Sequence, residues 1–299
     1  MISWWPAPAK LNLMLRITGR RADGYHLLQT VFQLLDFGDQ LAFDVRDDGQ
    51  IIKHTPLLGV AEHEGLSTRA ARLLQQACGT TLGADIYLDK RLPLGGGLGG
   101  GSSDAATTLL VLNQLWGCRL SIDALAELGA ALGADVPVFV RGHSAWAEGV
   151  GEILTPLELP AMRYLVVCPL VHLSTASMFT DPLLQRDQAP LRFEDFLRGE
   201  RGNAFTAVAR ARSQTIDALF KRLAQHTAPQ LTGSGAAIFC AFSPDDPTIH
   251  QAESALPQDM PRFIAQGVNR SPLHALLSIR ESAPAHFSQK NLHNANQSI

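Results

Sequence analysis

A run of glycines near the middle of the chain limits the possible fold and function more than any other feature. Residues 93–104 read PLGGGLGGGSSD, and six of the seven positions from Gly95 to Gly101 are glycine. Ordering glycine costs more conformational entropy than ordering any other residue, so a run of this density needs a specific use. Backbone without Cβ atoms can approach a ligand closely and point several N–H groups at it. A predicted helix follows directly, and its positive N-terminal end favours anions, so the run predicts a cradle for a polyphosphate.

Three other interpretations of the run agree less well with its surroundings. A flexible linker would not lie between a predicted strand and a strong helix. Gly95–Gly100 satisfies the G-x-G-x-x-G pattern of dinucleotide-binding folds, but several predicted strands precede it, and Asp123, the acid at about the expected distance, lies in a helical pattern. A P-loop requires lysine directly after the glycines, and Ser102 and Ser103 stand there instead. Their hydroxyl groups can bind phosphate oxygens.

The bulk properties exclude several classes of protein. The chain has 299 residues, of which 46% are hydrophobic and 18% charged, and its formal net charge of −3 lacks the basic excess of a nucleic-acid-binding protein. No stretch approaches the roughly 18 apolar residues of a transmembrane helix, and the N-terminus does not resemble a signal peptide, so we expect a cytoplasmic protein. The cysteines form no C-x-x-C pair and indicate reduced thiols, although their spacing leaves one disulfide open. They are Cys78, Cys118, Cys168 and Cys240.

Alternating residues near the N-terminus predict a strand that is buried on one side only. Leucine or isoleucine occupies every second position of residues 10–17. Lys10 and Asn12 therefore share the opposite face, which we expect to be exposed.

The rest of the chain alternates predicted strands and helices. Ser67 and Ser121 are the expected N-caps of two helices, and residues 36–39 form an expected turn between two strands. The strands are predicted at residues 27–35, 40–45, 84–90, 164–167, 236–242 and 263–265, and the helices at 67–78, 102–116, 121–132, 203–211, 214–225 and 246–256.

The pattern of the sequence changes near Pro156, which predicts a boundary between two domains. The length of the chain also favours two domains. We place them at residues 1–155 and 156–279. Residues 280–299 are polar and are predicted to form a tail.

The glycine run also resembles a known motif. It is similar to the central phosphate-binding motif of the GHMP kinases, which include galactokinase, homoserine kinase and mevalonate kinase. Residues 6–13, PAPAKLNL, resemble their first motif, and residues 232–236, TGSGA, resemble their third. The resemblance implies an α+β, two-domain GHMP kinase fold with the active site in the inter-domain cleft. The N-terminal domain would be ribosomal-protein-S5-domain-2-like and the C-terminal domain a ferredoxin-like α/β domain.

Three further stretches narrow the resemblance. Residues 21–26 (RADGYH), 133–139 (GADVPVF) and 267–274 (GVNRSPLH) resemble the GHMP kinases whose acceptor is a cytidine diphosphate carrying a methylerythritol tail. The motifs occur in the family order, and one departure is Asp104, where Asn is also familiar. The resemblance implies phosphorylation of the 2-hydroxyl of that acceptor in the non-mevalonate isoprenoid pathway. It assigns ATP binding to Pro93, Leu94, Gly95, Gly96, Gly97, Leu98, Gly99, Gly100, Gly101, Ser102 and Ser103.

Two residues are the candidates for catalysis. Asp135 can act as a general base toward the acceptor hydroxyl or can simply orient it. From the residues alone, it could equally be the N-cap of a turn that starts at Pro137. Lys10 could be an ordinary solvated lysine on a polar strand face. The resemblance places both Asp135 and Lys10 in the active site.

The resemblance also implies how the acceptor is bound. Tyr25 and Phe179 would sandwich the cytosine, a contact worth about 1–3 kcal/mol per base, and His26 would read its edge. Taken alone, Phe179 would belong to the core and His26 to a surface loop. Asn12 and Thr175 are weaker candidates for contacts to the acceptor's hydroxyls or diphosphate.

ATP would bring Mg²⁺, held mostly by phosphates and water, and we predict no metal site made by the protein. The expected active unit is a monomer or weak homodimer. Three alternatives remain at this point: a GHMP kinase with another acceptor, a catalytically silent nucleotide-binding protein, and a nicotinamide-dependent oxidoreductase. A panel of acceptors, and a comparison of ATP with dinucleotide binding, distinguish them.

Overall fold

The computed structural model describes residues 3–55 and 65–282. Its strands are β1 Trp4–Arg20, β2 His26–Arg46, β3 Ile51–Lys53, β4 Gly83–Asp89, β5 Ala145–Glu148, β6 Ile153–Pro156, β7 Arg163–Val167, β8 Gly202–Asn203, β9 Gln230–Leu231, β10 Ile238–Phe242 and β11 Arg262–Val268. Its helices are α1 Leu66–Cys78, α2 Gly100–Leu115, α3 Ile122–Ala130, α4 Val136–Arg141, α5 Thr175–Thr180, α6 Phe193–Leu197, α7 Thr206–Arg212, α8 Gln214–Leu223, α9 Thr248–Ser254 and α10 Pro272–Ser282.

Two long antiparallel strands, β1 and β2, form the base of the N-terminal half. The predicted turn at residues 36–39 is wrong, because β2 continues through it. The glycine there serves a close contact instead. A Cβ atom on Gly38 would lie 2.0 Å from the carbonyl oxygen of Ala7, so only glycine lets β1 approach so closely.

Helices α1 to α4 cover one face of this sheet, and α2 lies at the centre of the resulting core. The predicted cap at Ser121 is confirmed, since its hydroxyl accepts the N–H of Ala124 at 3.2 Å. The predicted cap at Ser67 is wrong. Helix α1 begins one residue earlier, with Gly65 as its N-cap, and Ser67 is buried within the first turn.

The C-terminal half is built around strands in the order β11-β7-β10-β9, with α7, α8 and α9 packed on them. Strand β11 then continues past β7 and pairs with β2, through Gly267 opposite Leu35 and Val268 opposite Leu34. The strand therefore belongs to the sheets of both halves. The domain boundary after residue 155 stays a prediction.

The predicted tail over residues 280–299 overlaps the end of α10, which continues to Ser282. Residues 283–299 lie outside the described residues. Within the described part of the chain, no helix is both long and apolar enough to cross a bilayer.

The prediction of reduced thiols is wrong for one pair of cysteines. Cys78, at the end of α1, and Cys118, just after α2, form a disulfide with their Cα atoms 5.6 Å apart. Since α1 and α2 pack against each other, they bring together cysteines that are 40 residues apart in sequence. Cys168 and Cys240 are buried free thiols, and burial raises the pKa of each to about 12.

Candidate active site

A cavity of about 840 Å³ opens between the two halves. Residues from all three motifs and from the 21–26 loop line it, so the fold collects in one place side chains that are far apart in sequence. Among the predicted site residues, those lining it are Lys10, Asn12, Tyr25, His26, Gly95, Gly97, Gly99, Ser102, Asp135, Thr175 and Phe179.

The predicted exposed face of β1 is in fact covered. Lys10 and Asn12 are 2% and 3% exposed, because the third motif and the start of α4 lie over them. The Lys10 ammonium donates to Asn12 Oδ1 at 2.6 Å and lies 3.2 Å from Asp135 Oδ2. The two candidate catalytic residues therefore form an ion pair at the wall of the cavity.

Asp135 occupies the N-cap position of α4, but its side chain makes no capping hydrogen bond. Pro137 is in the first turn of this helix and has no N–H that would need a cap. The carboxylate is 34% exposed and faces the cavity and Lys10. The helix thus presents this side chain to the cavity and does not use it as a cap.

One buried hydroxyl joins the three motifs. The Thr232 hydroxyl accepts the N–H of Asn12 at 3.0 Å and donates to the carbonyl of Gly97 at 3.3 Å. The amide of Asn12 also donates to Thr30 Oγ1 at 2.9 Å. Because Thr232 is fully buried, its bonds hold the first motif, the glycine run and the third motif in a fixed relation.

The glycine run forms a loop with little free space around it. Gly97 and Gly99 have φ values of +75° and +74°, and a Cβ on Gly97 would lie 2.3 Å from the carbonyl oxygen of Thr232. The loop also encloses a second cavity of about 280 Å³, with Lys90 on its wall. Gly95, Gly97, Gly99 and Ser102 line both cavities, so the loop lies between two adjacent spaces.

The loop residues do not all reach these cavities in the same way. Pro93, Leu94, Gly96, Leu98, Gly100 and Gly101 line the smaller one. Ser103 is fully buried, lines neither cavity, and its hydroxyl has no hydrogen-bond partner among the described residues.

A buried charge cluster behind the loop was not predicted from the sequence. The Lys90 ammonium lies 2.5 Å from Asp39 Oδ2 and 2.9 Å from Asp104 Oδ2. Burial acts to lower the pKa of Lys90, but the two carboxylates outweigh it and raise the pKa. Burial raises the pKa of Asp104 to about 7, against the opposing effect of Lys90. The only feature of the sequence that pointed to this cluster was Asp104, at a motif position where related kinases also have Asn.

Aromatic rings form the far end of the large cavity. His26 stacks on Phe179, with ring centroids 4.8 Å apart, and Phe179 meets Phe205 edge to face. Tyr25 lines the cavity but is 65% exposed. In this structure, His26 is the ring that stacks on Phe179. The resemblance instead predicts that Tyr25 faces Phe179 from the other side of a bound base.

His26 has an unusual environment. Its Nε2 is buried with no hydrogen-bond partner in the described residues. Burial, together with the positive charges of Arg20 and Arg186, lowers the pKa of the imidazole, which favours the neutral ring. Thr175, the first residue of α5, shares a hydrogen bond of 2.9 Å with the hydroxyl of Ser234.

Residues 65–143 match the family described as GHMP kinases N terminal domain. Over 91% of its length the chain is 56% identical to the 4-diphosphocytidyl-2-C-methyl-D-erythritol kinase of Xanthomonas axonopodis pv. citri (strain 306), and it covers 92% of that protein. The protein of the same name from Ectopseudomonas mendocina (strain ymp) is 55% identical over 91% of this chain and 93% of its own.

Solved structures agree with this match. A crystal structure of 4-(cytidine 5'-diphospho)-2C-methyl-D-erythritol kinase is 33% identical, with a TM-score of 0.76 over 89% of this chain and 99% of its own. A homoserine kinase from Cytophaga hutchinsonii is 16% identical, with a TM-score of 0.62 over 91% of this chain and 96% of its own. The second likeness shows a shared fold only.

Proposed function

Because this chain belongs to the 4-diphosphocytidyl-2-C-methyl-D-erythritol kinase family of GHMP kinases, we propose that it transfers the γ-phosphate of ATP to the 2-hydroxyl of that alcohol. The predicted GHMP kinase fold is confirmed, and so is the prediction of an ATP-dependent small-molecule kinase in the non-mevalonate isoprenoid pathway. The products would be the 2-phosphate and ADP. The specific roles of the site residues are part of the proposal.

The ion pair of Lys10 and Asp135 carries the proposal. It lies beside the loop that separates the two cavities, where a nucleotide on one side and an acceptor on the other would meet. Phosphoryl transfer asks the protein mainly for positioning and charge neutralisation. We assign the smaller cavity and the loop to the phosphates of ATP, and the larger cavity to the acceptor.

Asp135 would accept a hydrogen bond from the 2-hydroxyl and take its proton as the O–P bond forms. Lys10 would hold that carboxylate in place and stabilise negative charge on the transferring phosphoryl group. The hydrogen bond from Lys10 to Asn12 restricts the ammonium to one position, so little reorganisation is needed during the reaction.

The aromatic end of the large cavity would bind the cytosine. Phe179 would supply one ring face, and the exposed Tyr25, which also lines the cavity, would stack on the other face of the base. The unpaired Nε2 of His26 supports a role in reading the edge of the base. Binding would require the His26 ring to give up its stacking position on Phe179.

Magnesium would supply charge neutralisation on the phosphate oxygens. Among residues 3–55 and 65–282, no group of three His, Cys, Asp or Glu side chains lies close enough to hold a metal ion. We expect the ion to be held mainly by phosphates and water. We expect a monomer or weak homodimer as the active unit, and sedimentation velocity tests this.

The decisive experiment is an ATP-consumption assay with 4-diphosphocytidyl-2-C-methyl-D-erythritol, beside homoserine, mevalonate and galactose. We expect turnover with the cytidine substrate alone. Asp135→Asn should lower kcat by about 10²–10⁴-fold, the usual contribution of a positioned acid or base. ATP binding should not change.

Asp123→Asn is the matched control, because Asp123 is an exposed carboxylate that pairs with Arg141 on the protein surface. It should retain wild-type kcat. Turnover of another acceptor by the wild type, or full activity of Asp135→Asn, would contradict the proposal.

A further inference from the structure

Three charged side chains, Asp39, Lys90 and Asp104, join the two ends of the glycine-rich loop; we call them the loop clamp. Lys90 precedes the loop and Asp104 follows it, so the ammonium that touches both carboxylates links its two sides. Asp39 Oδ1 also accepts the backbone N–H groups of Arg91 and Leu92, at 2.7 and 2.8 Å. The clamp therefore fixes the residues that lead into the loop and the helix that leaves it.

The clamp is deeply buried. The side chains of Asp39 and Asp104 are 0% and 5% exposed, and Lys90 is 14% exposed. Burying charges is costly unless geometry and hydrogen bonds compensate, and here two carboxyl groups share one ammonium group. Asp104 Oδ1 has no hydrogen-bond partner in the part of the chain that the structure describes. Replacing a buried ion pair by apolar side chains of similar size is often neutral for stability, so the charge of Asp104 points to a role beyond folding.

Helix capping does not explain Asp104. Helix α2 begins at Gly100, and its N-cap, Gly99, makes no side-chain capping bond. Asp104 lies more than a turn into the helix, beyond the unpaired N–H groups, and is aimed at Lys90. Lys90 in turn lines the small cavity enclosed by the loop.

The middle of the loop is held by backbone hydrogen bonds to other parts of the protein, whereas its two ends are held by the loop clamp. Ala237 N–H bonds to the carbonyl of Gly96, and Lys10 N–H bonds to the carbonyl of Leu98. Residues on either side of these bonds have glycine's large conformational freedom, and ordering them around a ligand costs entropy. A loop whose ends are already fixed loses less conformational entropy when a ligand binds.

We propose that Asp104 is a positioning residue for ATP, which holds Lys90 against Asp39 and so keeps both ends of the glycine-rich loop in the phosphate-binding arrangement. This rests on the proposed function, in that ATP occupies the loop. Asp104 acts through Lys90 and does not touch the nucleotide. Loss of the clamp weakens ATP binding and leaves the acceptor cavity unchanged.

The test uses Asp104→Leu, which keeps the approximate size and removes the acceptor oxygens. We expect the Kd for ATP, measured by titration calorimetry without acceptor, to rise about tenfold, the scale of one hydrogen bond to a charged group. The KM for ATP should rise with it, while kcat and the KM for the cytidine substrate stay within about twofold. Asp104→Asn is the conservative variant: its amide oxygen can still accept from Lys90 and should restore most of the affinity.

A second pair of variants covers the case in which Asp104→Leu folds poorly. If Lys90 and Asp104 act as one unit, the double variant Lys90→Met with Asp104→Leu loses no more ATP affinity than Lys90→Met alone. Losses that add in the double variant would overturn the proposal. So would wild-type ATP affinity in Asp104→Leu, or equal rises in both KM values.

These outcomes are separate from the proposed function. Acceptor identity is read from the wild type alone, and the clamp from the ATP affinity of the variants. A wild type that binds ATP but does not phosphorylate the cytidine substrate would leave the clamp test valid.

Discussion

At the scale of single residues, two side chains of the site have hydrogen-bonding capacity that the protein leaves partly unused. Asp135 stands at an N-cap without capping, and His26 has a buried ring nitrogen with no partner among the described residues. An unsatisfied buried polar atom costs about 1–3 kcal/mol, so its retention points to a ligand that supplies the missing bond.

His26→Phe tests this at the base end of the cavity. The phenyl ring can keep the stacking contact with Phe179 but offers no nitrogen to the cytosine. We expect the KM for the cytidine substrate to rise about tenfold, the effect of one lost hydrogen bond, with the KM for ATP unchanged. Steady-state kinetics with each substrate varied in turn measures both.

His250→Phe, on the exposed surface of α9, is the control and should behave as the wild type. An unchanged KM for the cytidine substrate in His26→Phe would show that the ring only stacks.

The sequence predicts the identity of these residues better than their surroundings. Alternation along β1 correctly puts Lys10 and Asn12 on one face, but it cannot show that Thr232 and Asp135 cover that face. The loop clamp was missed because Asp39 and Lys90 are 51 positions apart and meet only through the sheet. Residues in one motif can be recognised together, whereas a cluster assembled by tertiary contacts leaves no local pattern.

At the scale of elements, the long strand β2 organises the N-terminal half, because it pairs with β1, β4, β5 and β11. Its sequence contains the turn-forming residues 36–39, and local propensity therefore predicts two strands where there is one. Asp39 accepts a hydrogen bond from Lys90 in the loop clamp, and Gly38 makes room for β1. Tertiary contacts, not turn formation, explain why Gly38 and Asp39 occupy these positions.

Gly38→Ala should consequently destabilise the protein strongly. The added Cβ would meet the Ala7 carbonyl at 2.0 Å and force the two strands apart. We expect the free energy of unfolding to fall by about 2–4 kcal/mol, as for severe overpacking, measured by urea denaturation.

Gly19→Ala, on β1 of the same sheet, is a matched control, since the closest atom to its added Cβ is Leu27 Cδ1 at 3.7 Å. It should change stability by less than about 1 kcal/mol. Equal losses in the two variants would show that close approach is not the reason for Gly38.

At the scale of the whole molecule, the last described elements return to the first half of the chain. Strand β11 pairs with β2, and the ring of His274 on α10 lies against Gly142 at the end of α4, where a Cβ would be 2.2 Å from its Cδ2. Helix α4 carries Asp135 at its other end. The position of Asp135, the proposed catalytic carboxylate, thus depends on packing supplied by α10.

His274 should also make stability depend on pH. Burial lowers its pKa below the ordinary value of 6.5 and outweighs the opposing hydrogen bonds to the backbone of Phe139 and Val140. His143 and Arg270 add smaller lowering effects on this pKa. As pH falls below about 6.5, the unfolded chain takes up a proton that the native state resists, so the free energy of unfolding decreases until the lowered pKa is passed. Denaturant titrations between about pH 7 and pH 5 should show a smaller decrease for His274→Asn than for the wild type.

His250→Asn, at an exposed histidine, should keep the wild-type pH dependence. If His274→Asn kept it as well, the ring would not be the titrating group.

The late position of β11 in the sequence affects how the protein folds during translation. Gln266 on β11 donates its N–H to Asp36 on β2, which lies 230 positions earlier in the sequence. The pairing of β11 with β2 therefore joins segments that are far apart along the chain. A ribosome adds roughly 5–20 residues each second, so β2 emerges many seconds before its neighbour exists. During that interval one edge of the first sheet is open to other nascent chains. A chaperone that shields this edge during translation would therefore favour the yield of active enzyme, and a nascent chain stalled short of β11 would be prone to aggregation.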